Sequence, residues 1–484
     1  MGLGLPVWLA VSLLGAFSAL LGFLLLGRTT VSPSLSKRAA LYFGVTAASA
    51  PLLGPGFVYI AFSAIVAFLL APKEIEVRRA FFIIAVFLFP RFYSFLVPFP
   101  GLNHLIDLPL WMILVARFLV PLAGQATRPI TTCDILFFGF VFLVFSLDFR
   151  GVSITEGLRR GVVSIAWFLV PFLAFRNIAR ESLGRERVWE GLVVVAILLA
   201  AANIFIQLLR WDFFFFHYPM GVEIRFGLIR ANTTLATGLF GFVCATAIVV
   251  LIQYPSLLKK GFLFRAVLYS LLVLGVFASG ARAAILCLPL MLFMMFMLRV
   301  IDPRLVALAA AVTAAAHSVV IDLVLRADLS RFADPFNLEY RQRLLATSLE
   351  QIAANPIFGD QDFISHPRFL PLIQGQQMID IVNSYLQIAL EYGLLALLCY
   401  LGSFLLGIWQ LSKKMKNTSS ETKRCTVLLT VTVGYLFLIA TTSMTSYVAL
   451  LGVVLLGLIV AEIRPEPSAP IRRWRSTHMD ARIG

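Results

Sequence analysis

Charged residues are scarce in this chain. Asp, Glu, Lys and Arg make up only 13% of its 484 residues, whereas about a quarter of a typical soluble domain is charged. Hydrophobic residues make up 60% of the chain, and apolar runs of about 17–25 residues, the length that a bilayer-spanning helix needs, recur along it. The shortage of charge therefore excludes an ordinary soluble protein and predicts a polytopic membrane protein.

Cysteine is also rare, and two further patterns are missing. The five cysteines lie scattered in or beside apolar runs with no C-x-x-C spacing, which argues against a disulfide framework and against a thiolate metal site. The alternating pattern of a membrane β-barrel is absent, so the spans must be helices. No repeat relates the two halves, which counts against a carrier built from internal repeats.

The apolar runs predict an all-α membrane protein with about 12–15 transmembrane helices and one long extracytoplasmic loop that contains short helices. The turn-forming residues Pro51, Gly54, Pro55 and Gly56 divide residues 39–72 into two crossings. The candidate spans are 6–27, 39–53, 56–72, 79–97, 106–123, 132–148, 160–176, 189–210, 231–252, 263–279, 283–299, 303–325, 384–410, 424–441 and 444–462.

The net charge of +15 would suggest a nucleic-acid partner in a soluble protein, but here the basic residues cluster in short hinges. With residues 39–72 crossing twice, these hinges fall on one side, which the positive-inside rule assigns to the cytoplasm. The predicted organisation is transmembrane helices over 1–325, an extracytoplasmic catalytic loop over 326–383, C-terminal transmembrane helices over 384–462 and a basic cytoplasmic tail over 463–484 that contacts anionic headgroups.

Three arginines break this pattern because they lie in predicted extracytoplasmic hinges. Arg282 ends a turn of small residues that begins at Ser279, and Arg225 and Arg230 follow an aromatic run over 213–216. The guanidinium group offers a planar fork of donors that suits phosphate oxygens. We interpret these arginines as a site for a lipid-linked phosphate, with plain contact to lipid headgroups as the alternative.

The segment from Arg326 to about Leu395 is rich in charge, and long loops with structure of their own are usually functional. A solvated connector is the alternative interpretation. Residues 338–354 predict an amphipathic lid helix with Leu344, Leu345, Leu349 and Ile352 facing inward. The D-x-D spacing at 360–362 is shared by metal-dependent transferases, but three residues carry little specificity, so an acidic pair in a loop is favoured.

Residues 340–395 resemble the O-antigen ligase and polysaccharide polymerase superfamily, integral-membrane glycosyltransferases of the GT-C type. The similar features are an arginine before an amphipathic helix, the run Asn355-Pro356-Ile357-Phe358-Gly359, and Asn383-Ser384-Tyr385-Leu386-Gln387 followed by Glu391 and Gly393. The turn at Arg282 also looks like the upstream arginine turn of this family.

The resemblance implies the chemistry. Members of the family transfer a glycan from undecaprenyl diphosphate, outside the cytoplasmic membrane, to lipid A core, another repeat unit or a protein. Arginines hold the diphosphate, for which Arg282 with Arg225 or Arg230 are first candidates and Arg341 and Arg343 second. No metal or other cofactor is expected, because the arginines neutralise the diphosphate.

The acceptor side departs from the family pattern. The ligases carry a histidine, the proposed base, just before the Asn, and here that position is Val382. Asp380 or His366 is then the candidate base, and Asn383 would orient the acceptor. A polymerase in the bacterial inner membrane, facing the periplasm, fits this departure better than a ligase.

Two alternatives stay open beside the polymerase. One is an O-antigen ligase, and the other is a transporter or flippase of a lipid-linked oligosaccharide. A carrier would line a path on both sides of the membrane, whereas the polar residues here concentrate on one side. The expected partners are the lipid-linked oligosaccharide and membrane lipids, with a flippase and a chain-length regulator as further assembly proteins.

Overall fold

The computed structural model of this protein is built almost entirely of helices. It describes residues 5–53, 57–89, 129–177, 182–214, 224–225, 227–231, 233–235, 237–259, 261–298, 300, 335–373, 379, 381–415, 419–443 and 446–464. The helices are α1 (Leu5–Leu26), α2 (Pro33–Leu53), α3 (Phe57–Leu70), α4 (Ile75–Phe87), α5 (Thr132–Leu147), α6 (Ile154–Ser164), α7 (Val170–Arg176), α8 (Ser182–Leu209), α9 (Thr237–Gln253), α10 (Phe262–Ala278), α11 (Arg282–Met297), α12 (Pro335–Ala354), α13 (Ser384–Lys414), α14 (Ser419–Ile439) and α15 (Ser446–Ile463).

Short irregular elements connect some of these helices. A π-helical turn over Ile165–Leu169 joins α6 to α7, and 3₁₀ turns occupy Pro255–Leu257, Phe363–Ser365 and Leu370–Leu372. Strands β1 (Ile224–Arg225) and β2 (Leu228–Ile229) form an antiparallel hairpin.

The all-α polytopic architecture predicted from the sequence is confirmed. Within the residues that the structure describes, five helical segments are long and apolar enough to cross a bilayer: Leu9–Leu26, Ile154–Arg176, Glu186–Leu209, Ser384–Lys414 and Glu421–Ile439. Shorter apolar helices, such as α5 and α9, lie beside them. The predicted spans 106–123 and 303–325 lie outside the described residues, so the total of about 12–15 spans stays a prediction.

Helix α8 forms the centre of the helix assembly. Every residue from Val193 to Ala202 is fully buried, and the helix packs against α1, α4 and α9. A helix that is apolar on every face lies either inside a protein or in lipid, and in this case neighbouring helices cover it. Helix α1, by contrast, exposes large apolar side chains such as Leu24, as a helix that faces lipid does.

A buried ion cluster joins three helices at the end that the topology predicts to be cytoplasmic. Asp134 is fully buried, closes a capping box with Thr131 at the start of α5, and forms ion pairs with Arg176 and, at 3.2 Å, with Arg464. The prediction that the basic tail contacts headgroups is therefore wrong for Arg464, since this guanidinium is buried against a carboxylate. The rest of the tail, 465–484, lies outside the described residues.

A pair of tyrosine hydroxyls joins α13, α14 and α15 in the buried interior. Tyr435 donates a hydrogen bond to the Val448 carbonyl at 3.1 Å and lies 2.9 Å from the Tyr400 hydroxyl. We expect Tyr435→Phe to lower the free energy of unfolding by about 1–3 kcal/mol, because it leaves the buried Tyr400 hydroxyl without this partner. Unfolding in mixed detergent micelles measures the change.

Tyr254→Phe is the matched control for this prediction. Within the described part of the chain, the buried Tyr254 hydroxyl has no hydrogen-bond partner, so its removal is expected to leave stability unchanged or slightly higher. Equal losses in the two variants would show that the Tyr435 hydroxyl contributes no specific hydrogen bond.

Candidate active site

The turn that carries Arg282 is shaped by small residues. Gly280 has φ +60°, in the left-handed region that favours glycine. The Ser279 hydroxyl accepts a hydrogen bond from the Ala281 amide at 3.3 Å and donates to the Val276 carbonyl at 2.7 Å. A Cβ on Gly241 of α9 would lie 2.5 Å from Ser279 Oγ, so only glycine allows α9 to approach the turn this closely. Arg282, which is exposed, begins α11 beside it.

The hairpin that carries Arg225 and Arg230 is attached to the same region. The Gln207 side chain pairs with the backbone of Ile229, donating at 2.8 Å and accepting at 2.9 Å. The Ala231 amide donates to the carbonyl of Ala278, the last residue of α10, at 2.8 Å. Arg230 donates to the Thr237 hydroxyl at 3.1 Å. Arg225 belongs to β1, and the structure describes its backbone only.

Gly238 lies where the Arg282 turn and the segment that carries Arg230 adjoin the start of α13. A Cβ on Gly238 would lie 3.9 Å from the Ala281 side chain and 3.5 Å from that of Thr442. The Ser384 hydroxyl donates to the Thr442 carbonyl at 2.6 Å. The turn of Arg282, the Arg230 segment and the beginning of α13 therefore meet around one glycine. We call the group formed by Arg230, Arg282 and Asn383 the arginine site.

Asn383 caps α13. Its side-chain oxygen accepts hydrogen bonds from the amides of Tyr385 at 2.9 Å and Leu386 at 3.2 Å, the geometry expected of an N-cap residue. These bonds leave the amide NH₂ as the part of the side chain that can contact a substrate. Val382, which precedes it, is half-buried, and the candidate base Asp380 lies outside the described residues.

The Asn355–Gly359 run inserts into a break in α13 at Gly393. Gly393 has φ +83°, and a Cβ there would lie 2.0 Å from the Ile357 carbonyl oxygen. The Asp360 amide donates to the Leu390 carbonyl at 2.6 Å, and the Leu394 amide donates to the Pro356 carbonyl at 2.8 Å. These two bonds replace the helical bond from the Leu394 amide to the Leu390 carbonyl, so the loop and the helix form one unit.

His366 is held by an acidic residue of the same loop. Its Nε2 lies 2.6 Å from Asp360 Oδ2, and Asp360 also accepts from the Gln351 side chain and the Asp362 amide, each at 3.0 Å. A carboxylate at Nε2 favours the tautomer in which Nδ1 accepts a proton, as a general base requires. Asp360 thus organises the loop, the arrangement favoured from the sequence. Among the described residues, no group of three His, Cys, Asp or Glu side chains is placed to hold a metal ion.

The prediction for the lid helix is partly wrong. Helix α12 buries Leu344 and Ile352 against α13 and the loop, but Leu345 and Leu349 are 46% and 53% exposed. Ser348 and Gln351 occupy the buried face instead, because Gln351 donates its hydrogen bond to the loop. The second-choice residues Arg341 and Arg343 lie on the exposed face of α12, where Arg343 pairs with Glu339.

A polar cavity lies between the α5–α6 connection and the start of α13. The Gln361 side chain accepts from Arg160 at 3.1 Å and donates to Asp148 at 3.0 Å, and the Ser164 hydroxyl donates to Asp148 at 2.6 Å. Burial raises the pKa of the Asp148 carboxyl, which follows the last residue of α5, and these two hydrogen bonds oppose the rise. The cavity is lined by Asp148, Glu156, Arg159, Arg160, Val163, Ser164, Gln361, Glu391 and Tyr392.

Comparison with known proteins identifies the domain that carries most of these groups. Residues 226–401 match the family model described as O-antigen ligase. We call these residues the O-antigen ligase domain after this match. Members of this family are glycosyl-transfer enzymes, ligases or polymerases, so the match supports an integral membrane enzyme. No curated protein and no solved structure matches the chain.

The O-antigen ligase domain contains every residue predicted for the site except Arg225, but it does not bring them all together. The segments that carry Arg230, Arg282 and Asn383 adjoin Gly238, whereas His366 belongs to the loop that is inserted at Gly393, and Arg341 and Arg343 project from α12. The resemblance to the O-antigen ligase and polymerase superfamily, drawn from the sequence motifs, is confirmed by the matched family.

Sequence reasoning missed the polar cavity, although the chain carries a signal for it. Asp148, Glu156, Arg159 and Arg160 fall within thirteen positions of a chain that is poor in charge, and Ser153 caps α6. The predicted spans 132–148 and 160–176 left this segment only as the connection between them. Six residues that line the cavity lie before residue 226, so the O-antigen ligase domain supplies only Gln361, Glu391 and Tyr392 to it.

Proposed function

We propose that this protein is a bacterial surface-polysaccharide polymerase. It transfers a glycan from undecaprenyl diphosphate to another lipid-linked repeat unit at the periplasmic face of the inner membrane. The observation that carries the proposal is the meeting of the Arg230 segment, the Arg282 turn and Asn383 around Gly238, inside an O-antigen ligase domain. Two arginines on segments that adjoin the start of α13, where Asn383 presents its amide, suit a diphosphate leaving group next to an acceptor sugar.

The chemistry that this arrangement supports is a displacement at the anomeric carbon. An acceptor hydroxyl oxygen bonds to that carbon, the bond from carbon to the diphosphate oxygen breaks, and its electron pair leaves with the diphosphate. Arg230 and Arg282 stabilise the negative charge that develops there, an effect that is largest in a partly dry site. The hydroxyl proton passes to Asp380 or His366, while the Asn383 amide orients the acceptor. Arg225, Arg341 and Arg343 are further candidates for diphosphate contacts.

A ligase is the second candidate, because the matched family is described as O-antigen ligase. The ligase reaction would use the same donor and the same arginines, with lipid A core or another molecule as acceptor. Val382 at the position of the ligase histidine favours the polymerase. A transporter of the lipid-linked glycan is disfavoured, since members of the matched family form glycosidic bonds.

An assay with purified protein tests the proposal. The protein is mixed in lipid nanodiscs with its cognate lipid-diphosphate-linked repeat unit in the presence of EDTA, and the products are resolved by size. A ladder of lengthening chains is expected of a polymerase. A single transfer, seen only when lipid A core is added, would establish the ligase. Unchanged donor under both conditions, with the cognate repeat unit confirmed, would refute glycosyl transfer from this donor without a metal ion.

A further inference from the structure

The polar cavity has the size and construction of a ligand site. Its volume is about 330 Å³, at the lower end of the range of about 300–1,000 Å³ that is typical of small-molecule pockets. Segments far apart in sequence form it: the end of α5, the helix α6, the loop that holds Gln361, and the second turn of α13 around Glu391. It offers carboxylate, amide, guanidinium and phenol groups to one partly open space.

Hydrogen bonds hold the polar groups of the cavity in place before any ligand arrives. Gln361 links Arg160 to Asp148, and Ser164 holds the second oxygen of Asp148. Arg150 donates to the Gly359 carbonyl at 3.0 Å, which secures the Gln361 loop to the α5–α6 connection. A ligand that enters this space therefore meets groups whose side-chain entropy has already been lost, and such preorganisation favours binding.

The distribution of charge in the cavity selects against anions. Arg159 and Arg160 share one carboxylate partner, Glu156, at 2.7 and 3.0 Å, so one positive charge remains among these three side chains. In the described part of the chain, Asp148 and Glu391 form no ion pair and are held by amide and hydroxyl donors only. Carboxyl groups therefore outnumber guanidinium groups in the cavity, and a ligand carboxylate or phosphate beside Asp148 and Glu391 would be disfavoured.

A stripe of polar side chains connects the cavity to the arginine site. Asn383, Gln387 and Glu391 follow one face of α13 at intervals of four residues, and Gln387 donates to Glu391 at 3.0 Å. At 1.5 Å per residue, Asn383 and Glu391 are separated by about 12 Å along the helix axis. A glycan that contacts Asn383 can thus extend into the cavity along this stripe.

We propose that the polar cavity is a subsite for a non-anionic sugar residue of the acceptor glycan, a neutral hexose or a hexosamine. This assignment rests on the proposed function, which provides a glycan acceptor beside Asn383. Sugar hydroxyls donate to Asp148 and Glu391 and accept from the guanidinium groups. The sugar ring itself lies against the ring of Tyr392. Because the α5–α6 wall lies outside the O-antigen ligase domain, it is a feature that the rest of this chain adds to that domain.

The test measures glycan binding separately from catalysis. The probe is the glycan released by mild acid from the lipid-linked pool of the native host, free of lipid and diphosphate. Its affinity for the full-length protein in nanodiscs is measured by calorimetry and saturation-transfer NMR. Asp148→Asn and Glu391→Gln are each expected to weaken binding about tenfold or more, the size of losing a hydrogen bond to a charged group. Glu350→Gln, which changes an exposed carboxylate on α12, should bind as the wild type does.

A second probe tests the charge preference directly. Oxidation of the primary hydroxyls of the same glycan to carboxylates is expected to abolish binding to the wild type. Thermal unfolding of each variant shows whether it is folded. Absence of binding by the wild type, equal affinity in folded Asp148 and Glu391 variants, or undiminished binding of the oxidised glycan would each overturn the subsite.

Failure of the subsite and failure of the proposed function are distinguishable. Products that form with an unchanged acceptor KM in both cavity variants would overturn the subsite and leave the transferase. Binding of the released glycan that the cavity variants weaken, together with unchanged donor in the transfer assay, would support the subsite and refute the transferase. The expected result is a raised acceptor KM with little change in the donor KM.

Discussion

Arg282→Ala is expected to abolish product formation while the protein still reaches the membrane. The side chain is exposed at the start of α11, so its removal leaves no cavity in the core. In the proposed reaction it stabilises the charge on the departing diphosphate, and loss of one such contact typically lowers kcat by about 10²–10³-fold. The transfer assay in nanodiscs measures the rate, and membrane fractionation measures expression.

Two further variants make this prediction specific. Arg282→Lys should retain part of the activity, since an ammonium keeps the charge but loses the planar fork that fits two phosphate oxygens. Arg368→Ala removes an exposed arginine from the charged loop, where it lies 3.9 Å from Glu350, and should leave the rate unchanged. Normal polymer from Arg282→Ala would rule out the assigned role of this side chain.

Gly393→Ala is expected to destabilise the protein and to remove activity with it. The alanine would combine φ +83° with a methyl group 2.0 Å from the Ile357 carbonyl oxygen, so the loop must move out of the break in α13. Backbone strain alone costs on the order of 1–3 kcal/mol, and the displacement would also break the Asp360–Leu390 and Leu394–Pro356 hydrogen bonds. Thermal unfolding and the transfer assay together measure the loss.

Gly151→Ala separates the two causes. Gly151 has a similar φ of +73°, but a Cβ there would meet nothing within 4 Å, so this variant carries the backbone strain without the collision. We expect a small loss of stability from Gly151→Ala and a much larger one from Gly393→Ala. Similar losses of stability in the two variants would mean that only the positive φ of Gly393 matters, and that the inserted loop contributes nothing further to stability.

Local patterns in the sequence were sufficient to predict several parts of the candidate site. The small residues before Arg282 predicted a close turn, and Gly280 and Gly241 show why no larger side chain fits there. The Asn355–Gly359 and Asn383–Gly393 motifs carried the resemblance to the family, and the structure shows the first inserted into the second. The prediction of the turn succeeded because turn chemistry acts over a few residues.

The helical face of α12 shows where such patterns fail. An apolar spacing favoured Leu345 and Leu349 as buried positions, whereas the helix turns Ser348 and Gln351 inward. The choice depends on Asp360, which lies nine residues beyond Gln351 and accepts its hydrogen bond. A hydrophobic pattern cannot register a polar partner that only the folded loop brings into place.

Composition and the spacing of apolar runs decided the class of this protein, because a bilayer admits only long helices whose backbone groups are satisfied internally. Tertiary structure alone decided which polar side chains meet. Arg464 donates a hydrogen bond to Asp134, which is 330 residues away in the sequence, and Gln361 donates one to Asp148, which is 213 residues away. Such pairings leave no periodic trace in the chain, since they depend on how helices pack, and the polar cavity became apparent only once those helices were in place.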